Sequence, residues 1–329
     1  MEFYCGSCGK TYPLEGLDYK CECGGLFSLK KDPGEEVSIG VSLGETETPV
    51  IAREIDGLKL QLKMDFMMPT GSFKDRGALI LVNKLKEMGI DEVVEDSSGN
   101  AGASIAAYCA AAGIRCNIYL PESTSQGKIK QIQAYGANVV KVPGSRDATA
   151  RAILEAAKST YYASHVYNPL FFEGTRSIAR EIFRQTGVPD YVVVPVGNGT
   201  MLLGIYLGFL ELGKLPRILA VQSENCAPIF NRYKGVEHFE LKPTLAEGIA
   251  VAAPARMNEI IDAVKESRGE LITVSETEVQ QSTSLLGHMG IYIEATSAAV
   301  VAGALKYFNR DASKGLNITA PLTGTGLKK

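Results

Sequence analysis

From Glu92 to Gln222 the chain alternates between short apolar runs and longer segments with helical spacing. The runs Glu92–Asp96, Arg115–Leu120, Asn138–Val142, Tyr161–Ser164, Tyr191–Val196 and Arg217–Gln222 have the length of strands. Between them, Ala103–Ala112, Thr124–Tyr135, Asp147–Lys158, Glu173–Gln185 and Met201–Leu212 place apolar residues at the period of a helix. Strands alternating with helices of this length predict an α/β protein with parallel sheets covered on both faces. Ligands in such sheets sit at the carboxyl ends of strands. The C-terminal part is less regular, with strands expected at Leu271–Ser275 and Asn317–Leu322, helices at Glu276–Leu286 and Glu294–Lys306, and a loop at Leu245–Ile249. Upstream, Leu58–Lys63 alternates as a strand. Ala78, Leu79, Leu81, Val82 and Leu85 then mark a helix that follows Pro69, Thr70 and Gly71, with Ser72 as a candidate cap.

That helix carries a lysine, Lys74, in its first turn. The positive end of a helix disfavours a cation and favours the neutral amine, the form that attacks a carbonyl. A solvated lysine beside Asp75 and Arg76 is the plainer reading. Three loops bear on the choice. Gly197-Asn198-Gly199-Thr200 joins a buried strand to a helix, where backbone N–H groups and the helix dipole suit a phosphate; a tight turn without function fits the same residues. Ser97-Ser98-Gly99-Asn100-Ala101-Gly102 is a second such turn, able to hold a carboxylate, with Asn100 able to donate to a phenolate-like oxygen; Ser98 or Asn100 as an ordinary helix cap is the alternative. Thr323 ends the last strand and offers a hydroxyl to an aromatic nitrogen. A phosphate, an aldehyde, a ring oxygen and a ring nitrogen together describe pyridoxal 5′-phosphate. The three histidines, His165, His238 and His288, form no rival motif.

Composition changes this picture little. The chain has 329 residues, 45% hydrophobic and 22% charged, enough for two domains. A formal net charge of −3 gives no electrostatic case for nucleic acid or an anionic membrane. The most apolar stretch, Tyr191–Leu210, is broken by Pro195, Gly197 and Gly199 and reads as strand plus helix, not as a membrane span. With no signal-type N-terminus, a cytoplasmic location is expected.

The cysteines add a second candidate site. Of seven, Cys109, Cys116 and Cys226 lie in apolar segments and read as packing residues. Cys5, Cys8, Cys21 and Cys23 form two pairs, each followed by glycine, as in the two knuckles of a zinc ribbon. The second pair is C-x-C where a knuckle usually has C-x-x-C, so four reduced thiols without metal remain the alternative. Residues 1–30 are expected to form this small module, and 31–50 a linker containing Pro33, Gly34, Gly40, Gly44 and Pro49.

The motifs resemble those of the threonine synthase family of pyridoxal-phosphate enzymes, over nearly the whole chain. The resemblance rests on Pro69-Thr-Gly-Ser-Phe-Lys74-Asp-Arg-Gly77, Ser98-Gly-Asn100, Pro195-Val-Gly-Asn-Gly199, Gly290-Ile-Tyr-Ile-Glu294 with Ser297, and Leu322-Thr-Gly-Thr-Gly-Leu-Lys328. It implies the tryptophan synthase β-like fold, with two three-layer parallel-sheet domains: a large one from 31–73 and 166–329, and a small one from 74–165. It implies that Lys74 holds the cofactor as a Schiff base with Phe73 packed beside it, and that Asn100 meets the 3′-oxygen. Gly197, Asn198, Gly199, Thr200 and Met201 would hold the phosphate, and Thr323 would face the ring nitrogen. Ser97, Ser98, Gly99 and Asn100 would take the substrate carboxylate, and a homodimer is implied.

The reaction implied is elimination of phosphate from O-phosphohomoserine and addition of water to give L-threonine. Two positions depart from the family pattern. Ala101 stands where threonine synthases commonly have a phosphate-contacting Thr, and Phe171 and Phe172 stand where an Arg is expected. A serine/threonine ammonia-lyase or β-replacement enzyme acting on a non-phosphorylated amino acid is therefore a second expectation. A non-catalytic nucleotide-binding protein is a third.

Overall fold

The structure, a computed structural model, describes residues 1–328 except Pro33, Ser145, Arg310 and Ala312 and the side chains of Lys128 and Arg146. Among the linker positions read above, Pro33 thus lies outside the described residues. In chain order the elements begin with β1 (Glu2–Cys5), β2 (Thr11–Tyr12), β3 (Phe27–Lys30), β4 (Val50–Ile55), β5 (Leu58–Lys63) and α1 (Lys74–Glu87). Next come β6 (Glu92–Glu95), α2 (Asn100–Ala112), β7 (Arg115–Pro121), α3 (Gln126–Ala134), β8 (Asn138–Val142), α4 (Arg146–Ala156) and β9 (Tyr161–Tyr162). The rest are α5 (Pro169–Thr175), α6 (Ser177–Thr186), β10 (Tyr191–Pro195), α7 (Thr200–Glu211), β11 (Arg217–Ser223), α8 (Pro228–Lys234), α9 (Met257–Glu266), β12 (Glu270–Val274), α10 (Glu276–His288), α11 (Ala295–Tyr307) and β13 (Ile318–Pro321).

Two compact units result. The first comprises Met1–Glu45 and Lys74–Gly174 together with Lys328; the second comprises Thr46–Phe73 and Thr175–Leu327. The chain therefore passes between them at Glu45–Thr46, at Phe73–Lys74, inside α5 at Gly174–Thr175, and at Leu327–Lys328, where the sequence reading put 31–45 with the large domain and the change after the small domain at His165–Val166. The N-terminal sheet, in the order β2-β1-β3, is antiparallel and belongs to the first unit. Its Phe3, Tyr12, Leu14 and Phe27 are buried in one cluster with Leu81, Leu85, Ile105 and Tyr161. A module of some thirty residues buries too little surface to make a core of its own, so it shares that of its neighbours rather than standing apart at residues 1–30.

The first unit is built on a wholly parallel four-stranded sheet, β8-β7-β6-β9. The alanine-rich α2 is buried from Ala101 to Cys109, and its small side chains let it lie close between the sheet and its neighbouring helices. The second unit is built on six strands in the order β12-β11-β10-β13-β5-β4, parallel except for β4. Val192, Val193 and Val194 of β10 are fully buried, as a strand covered on both faces requires. α11 is buried from Ala295 to Ala304.

Differences from the sequence reading have local causes. β4 was not anticipated, because Ala52, Arg53 and Glu54 are exposed on an edge strand and give no alternation. The helix expected at Glu173–Gln185 is two helices: α5 begins at Pro169, where a fixed φ and a missing N–H cost least, and α6 begins beyond Arg176. α2 begins at Asn100 rather than Ala103, which takes Ala101 and Gly102 out of the loop. Among the described residues no helix is long and apolar enough to cross a membrane.

Candidate active site

Lys74 is the first residue of α1. The residues just before it are tied, within the second unit, to the end of the last strand. Phe73 N–H donates to the Thr323 carbonyl (2.9 Å), Ser72 bridges to Gly324, and Thr325 N–H donates to the Gly71 carbonyl (2.9 Å). Ser72 is fully buried and its Oγ has no hydrogen-bond partner among the described residues, so it is not the helix cap the sequence suggested. Within the first unit the opening turn of α1 is clamped. Asp75 is buried and accepts from Ser104 Oγ of α2 at 2.6 Å. A Cβ on Gly77 would lie 2.2 Å from the Phe171 ring, and one on Gly174 would lie 2.0 Å from the Arg76 carbonyl oxygen, so both positions require glycine. Lys74 Nζ lies over the Phe171 ring, 5.6 Å from its centroid.

Two ionisable groups feel the charge of Lys74, Glu95 and His165, and Asp96 adjoins them; the sequence reading named neither acid as a site residue. Glu95 ends β6 with a fully buried side chain, and its Oε1 is 2.7 Å from Nδ1 of His165, which is 13% exposed. Burial pushes Glu95 up to about 8, against the opposing pull of the Lys74 charge. Burial, helped by the same charge, pushes His165 down to about 3. At neutral pH the two therefore form an uncharged carboxyl–imidazole pair. Asp96 is raised by burial and by Glu95, and it accepts from Tyr162 OH at 2.7 Å. Two adjacent acids closing an apolar strand, at the end where ligands bind, were the available signal.

The loop after β6 holds the half-buried Ser97 and Ser98 and the exposed Gly99, and leads into α2 at Asn100. Gly99 is the N-cap and no side chain caps the helix, so neither Ser98 nor Asn100 is the ordinary cap. A Cβ on Gly102 would lie 1.8 Å from the Ser97 carbonyl oxygen, so the loop lies directly on the helix backbone. Lys328 Nζ donates to Asn100 Oδ1 at 2.9 Å, which sets the amide with its NH₂ as the donor end.

The second unit carries the other candidate residues. Gly197 and Asn198 follow β10, Gly199 takes φ +81° as the N-cap of α7, and no side chain caps that helix. The N–H groups of its first turn, from Thr200 and Met201, have no intrahelical acceptor. Gly199 is needed twice over, by its positive φ and because a Cβ would lie 2.6 Å from Ile260 Cδ1; a Cβ on Gly197 would lie 3.0 Å from Ile249 Cα. An uncapped, glycine-walled helix N-terminus fits a phosphate. Thr323 is buried; its Oγ1 donates to Glu294 Oε1 (2.7 Å) and is 2.9 Å from Ser297 Oγ, which accepts from Thr323 N–H at 2.8 Å. Glu294 was not singled out as a site residue by sequence. Its approach depends on Gly324, where a Cβ would lie 2.6 Å from the carboxylate.

The four N-terminal cysteines come together. Their Sγ atoms all lie within 4.8 Å of one another, with Cys5–Cys23 and Cys8–Cys21 each at 3.5 Å. Sulfurs arranged tetrahedrally around zinc at ~2.3 Å are roughly 3.8 Å apart, so the set has the size of a zinc site. Gly25 makes room for it, since a Cβ there would lie 2.5 Å from Cys5 Sγ.

Parallel sheets, a lysine at a helix start and an uncapped glycine loop after a buried strand define an α/β enzyme that binds a phosphorylated carbonyl cofactor. Residues 41–324 match the family model described as pyridoxal-phosphate dependent enzyme. A protein named threonine synthase from Methanocaldococcus jannaschii is 32% identical, covering 98% of this chain and 92% of its own. Another of that name from a Synechocystis species is 36% identical, covering 85% and 75%. A solved pyridoxal 5′-phosphate-dependent aspartate racemase superposes with a TM-score of 0.75 at 25% identity, over 86% of this chain and 91% of that one. The chain belongs to the threonine synthase family of pyridoxal-phosphate-dependent enzymes, and it is a lyase of that type.

Proposed function

We propose that the protein converts O-phosphohomoserine to L-threonine and phosphate, with Lys74 as the residue that anchors the cofactor. The observation that carries this is Lys74 itself: an amine at the positive end of a helix, joined by one peptide bond to a segment hydrogen-bonded onto the Thr323 loop. Gly197, Asn198, Gly199, Thr200 and Met201 hold the cofactor phosphate on backbone N–H groups. Phe73 packs beside the ring, Asn100 donates to the ring oxygen, and Thr323 meets the ring nitrogen. Ser97, Ser98, Gly99 and Asn100 take the substrate carboxylate at the uncapped start of α2.

Pyridoxal phosphate, when bound, supplies the electron sink that makes protons next to the substrate's α-carbon removable. The chain supplies the rest. Lys74 Nζ takes and returns the protons at the α- and β-carbons, a role for a neutral amine. The Thr323 hydroxyl, which donates to Glu294, would stand opposite the ring nitrogen as an uncharged partner. A neutral partner there suits elimination and replacement better than transamination. Release of phosphate and threonine in equal amounts from O-phosphohomoserine is the expected result. Keto acid and ammonia from serine or threonine, with no phosphate released, would refute it.

That second outcome is the alternative reading, and one observation favours it. Ala101 (2% exposed) and Phe171 (fully buried) put apolar side chains at positions where a phosphate dianion asks for donors. Lys328 against Asn100 is a cation the sequence reading did not count, and it weighs toward the first reading.

We further propose that Cys5, Cys8, Cys21 and Cys23 bind one structural zinc, that the protein works in the cytoplasm, where such thiols stay reduced, and that it is a homodimer as the family resemblance implies. Metal analysis should give about one zinc per chain. Cys21→Ser should release it and lower the thermal midpoint; metal-free protein with the same midpoint would end the proposal.

A further inference from the structure

The Glu95–His165 pair takes no part in holding cofactor or substrate in the reading above, yet both groups feel the charge of Lys74, and the Phe171 ring stands between His165 and Lys74 Nζ. Glu95 Oε1 faces His165 Nδ1, and its Oε2 is buried without a hydrogen-bond partner among the described residues. The His165 ring packs edge-on to Phe171 (centroids 6.1 Å), whose face lies under Lys74 Nζ. The charged and titratable neighbours are Lys74 on α1, Asp96 after β6 with Tyr162 of β9 bonded to it, and Cys109 on α2. Resting on the assignment of Lys74 as the cofactor lysine, we propose that Glu95 and His165 are positioning residues that together hold one proton and thereby set the charge of Lys74.

The coupling between the pair and Lys74 is electrostatic. A buried carboxylate with an unpartnered oxygen is costly, and two conditions remove the cost. One is a proton on Glu95, shared with Nδ1; the pair is then uncharged wherever along that bond the proton sits. The other is an ammonium on Lys74, which stabilises the ionised carboxylate. The two are linked: a proton arriving at Lys74 Nζ makes the pair's own proton easier to lose to water. Lys74 can then take a proton from a substrate carbon, whose bonding electrons stay on the substrate, without adding net charge to a buried site. A permanently ionised neighbour would hold Lys74 as ammonium and unable to act as a base; an apolar neighbour would oppose the ammonium once formed. The linkage is reciprocal, as any coupling between two binding equilibria must be.

Two titrations test this on the cofactor-free protein. The first follows the carboxyl carbon of Glu95 by carbon-13 NMR, assigned with Glu95→Gln. In the unsubstituted protein it should titrate near 8; a midpoint in the ordinary carboxylate range overturns the proposal without any variant. In Lys74→Ala the midpoint should rise further. The second follows the rate at which pyridoxal 5′-phosphate is captured as a function of pH, which reads the neutral fraction of Lys74. Glu95→Gln should move that midpoint down by about one unit, giving about tenfold more neutral amine at a pH below it. Glu95→Asp, which keeps a carboxyl group, should stay near the unsubstituted value. Midpoints unmoved by Lys74→Ala or by Glu95→Gln would overturn the proposal. The two claims fail separately: if the cofactor is fixed to another lysine the assignment of Lys74 falls, while the carbon-13 titrations still report whether Lys74 and Glu95 are coupled.

Discussion

Lys74→Ala loses turnover of the amino-acid substrate by roughly 10²–10⁴-fold, the range for removing a positioned general base, with loss of the covalent anchor added to it. The protein should otherwise fold unchanged. Lys74 is the half-buried first residue of α1, and its neighbours fix that turn through contacts of their own: Asp75 to Ser104, Gly77 to Phe171, and Arg76 to Gly174. Alanine is also the better helix former. The expected variant is therefore folded, with a thermal midpoint within a few degrees of the unsubstituted protein's, and nearly inactive. The cofactor should still bind through the glycine loop of α7, but borohydride should no longer fix it to the chain. Turnover within a few-fold of the unsubstituted protein would remove Lys74 from the mechanism.

Gly102→Ala has the next largest expected effect, and it acts through shape alone. The new methyl would sit 1.8 Å from the Ser97 carbonyl oxygen, a backbone atom that no rotamer change can move aside. Either α2 or the Ser97–Asn100 loop must shift. Overpacking of this kind costs about 1–3 kcal/mol, and the displaced loop is the one proposed to bind the substrate carboxylate. Unfolding by urea should show the lost stability, and the KM of the amino-acid substrate should rise. Gly287→Ala is the control. It lies in α10 with nothing within 4 Å of a Cβ, so a neutral or slightly stabilising change is expected. Equal effects of the two substitutions would mean that the tight contact at Gly102 does not matter.

The sequence made legible what depends on local pattern. β10 and the α7 that follows it were placed within a residue or so of their ends, because a continuous apolar run, a Gly-Asn-Gly turn and an apolar helix each have a strong signature. The lysine at a helix start could be read for the same reason. What was missed depends on packing across the chain. β4 is an exposed edge, recognisable only once β5 is beside it. Glu95 and His165 stand 70 positions apart, and nothing in either neighbourhood says that they meet. The sequence showed Thr323 as a lone hydroxyl; the structure adds Glu294 and Ser297 to it, which fixes the direction of its hydrogen bond. The N-terminal module was visible as four cysteines, but not that its aromatic residues complete the core of the first unit.

The central claim is that Lys74 carries the cofactor, and peptide mapping after reduction tests it most directly. Protein loaded with pyridoxal phosphate is treated with borohydride, digested, and its lysine peptides are weighed. A pyridoxyl group on the peptide containing Lys74, and on no other, is the predicted result. The same group on a different lysine, or on none although cofactor is bound, would contradict it.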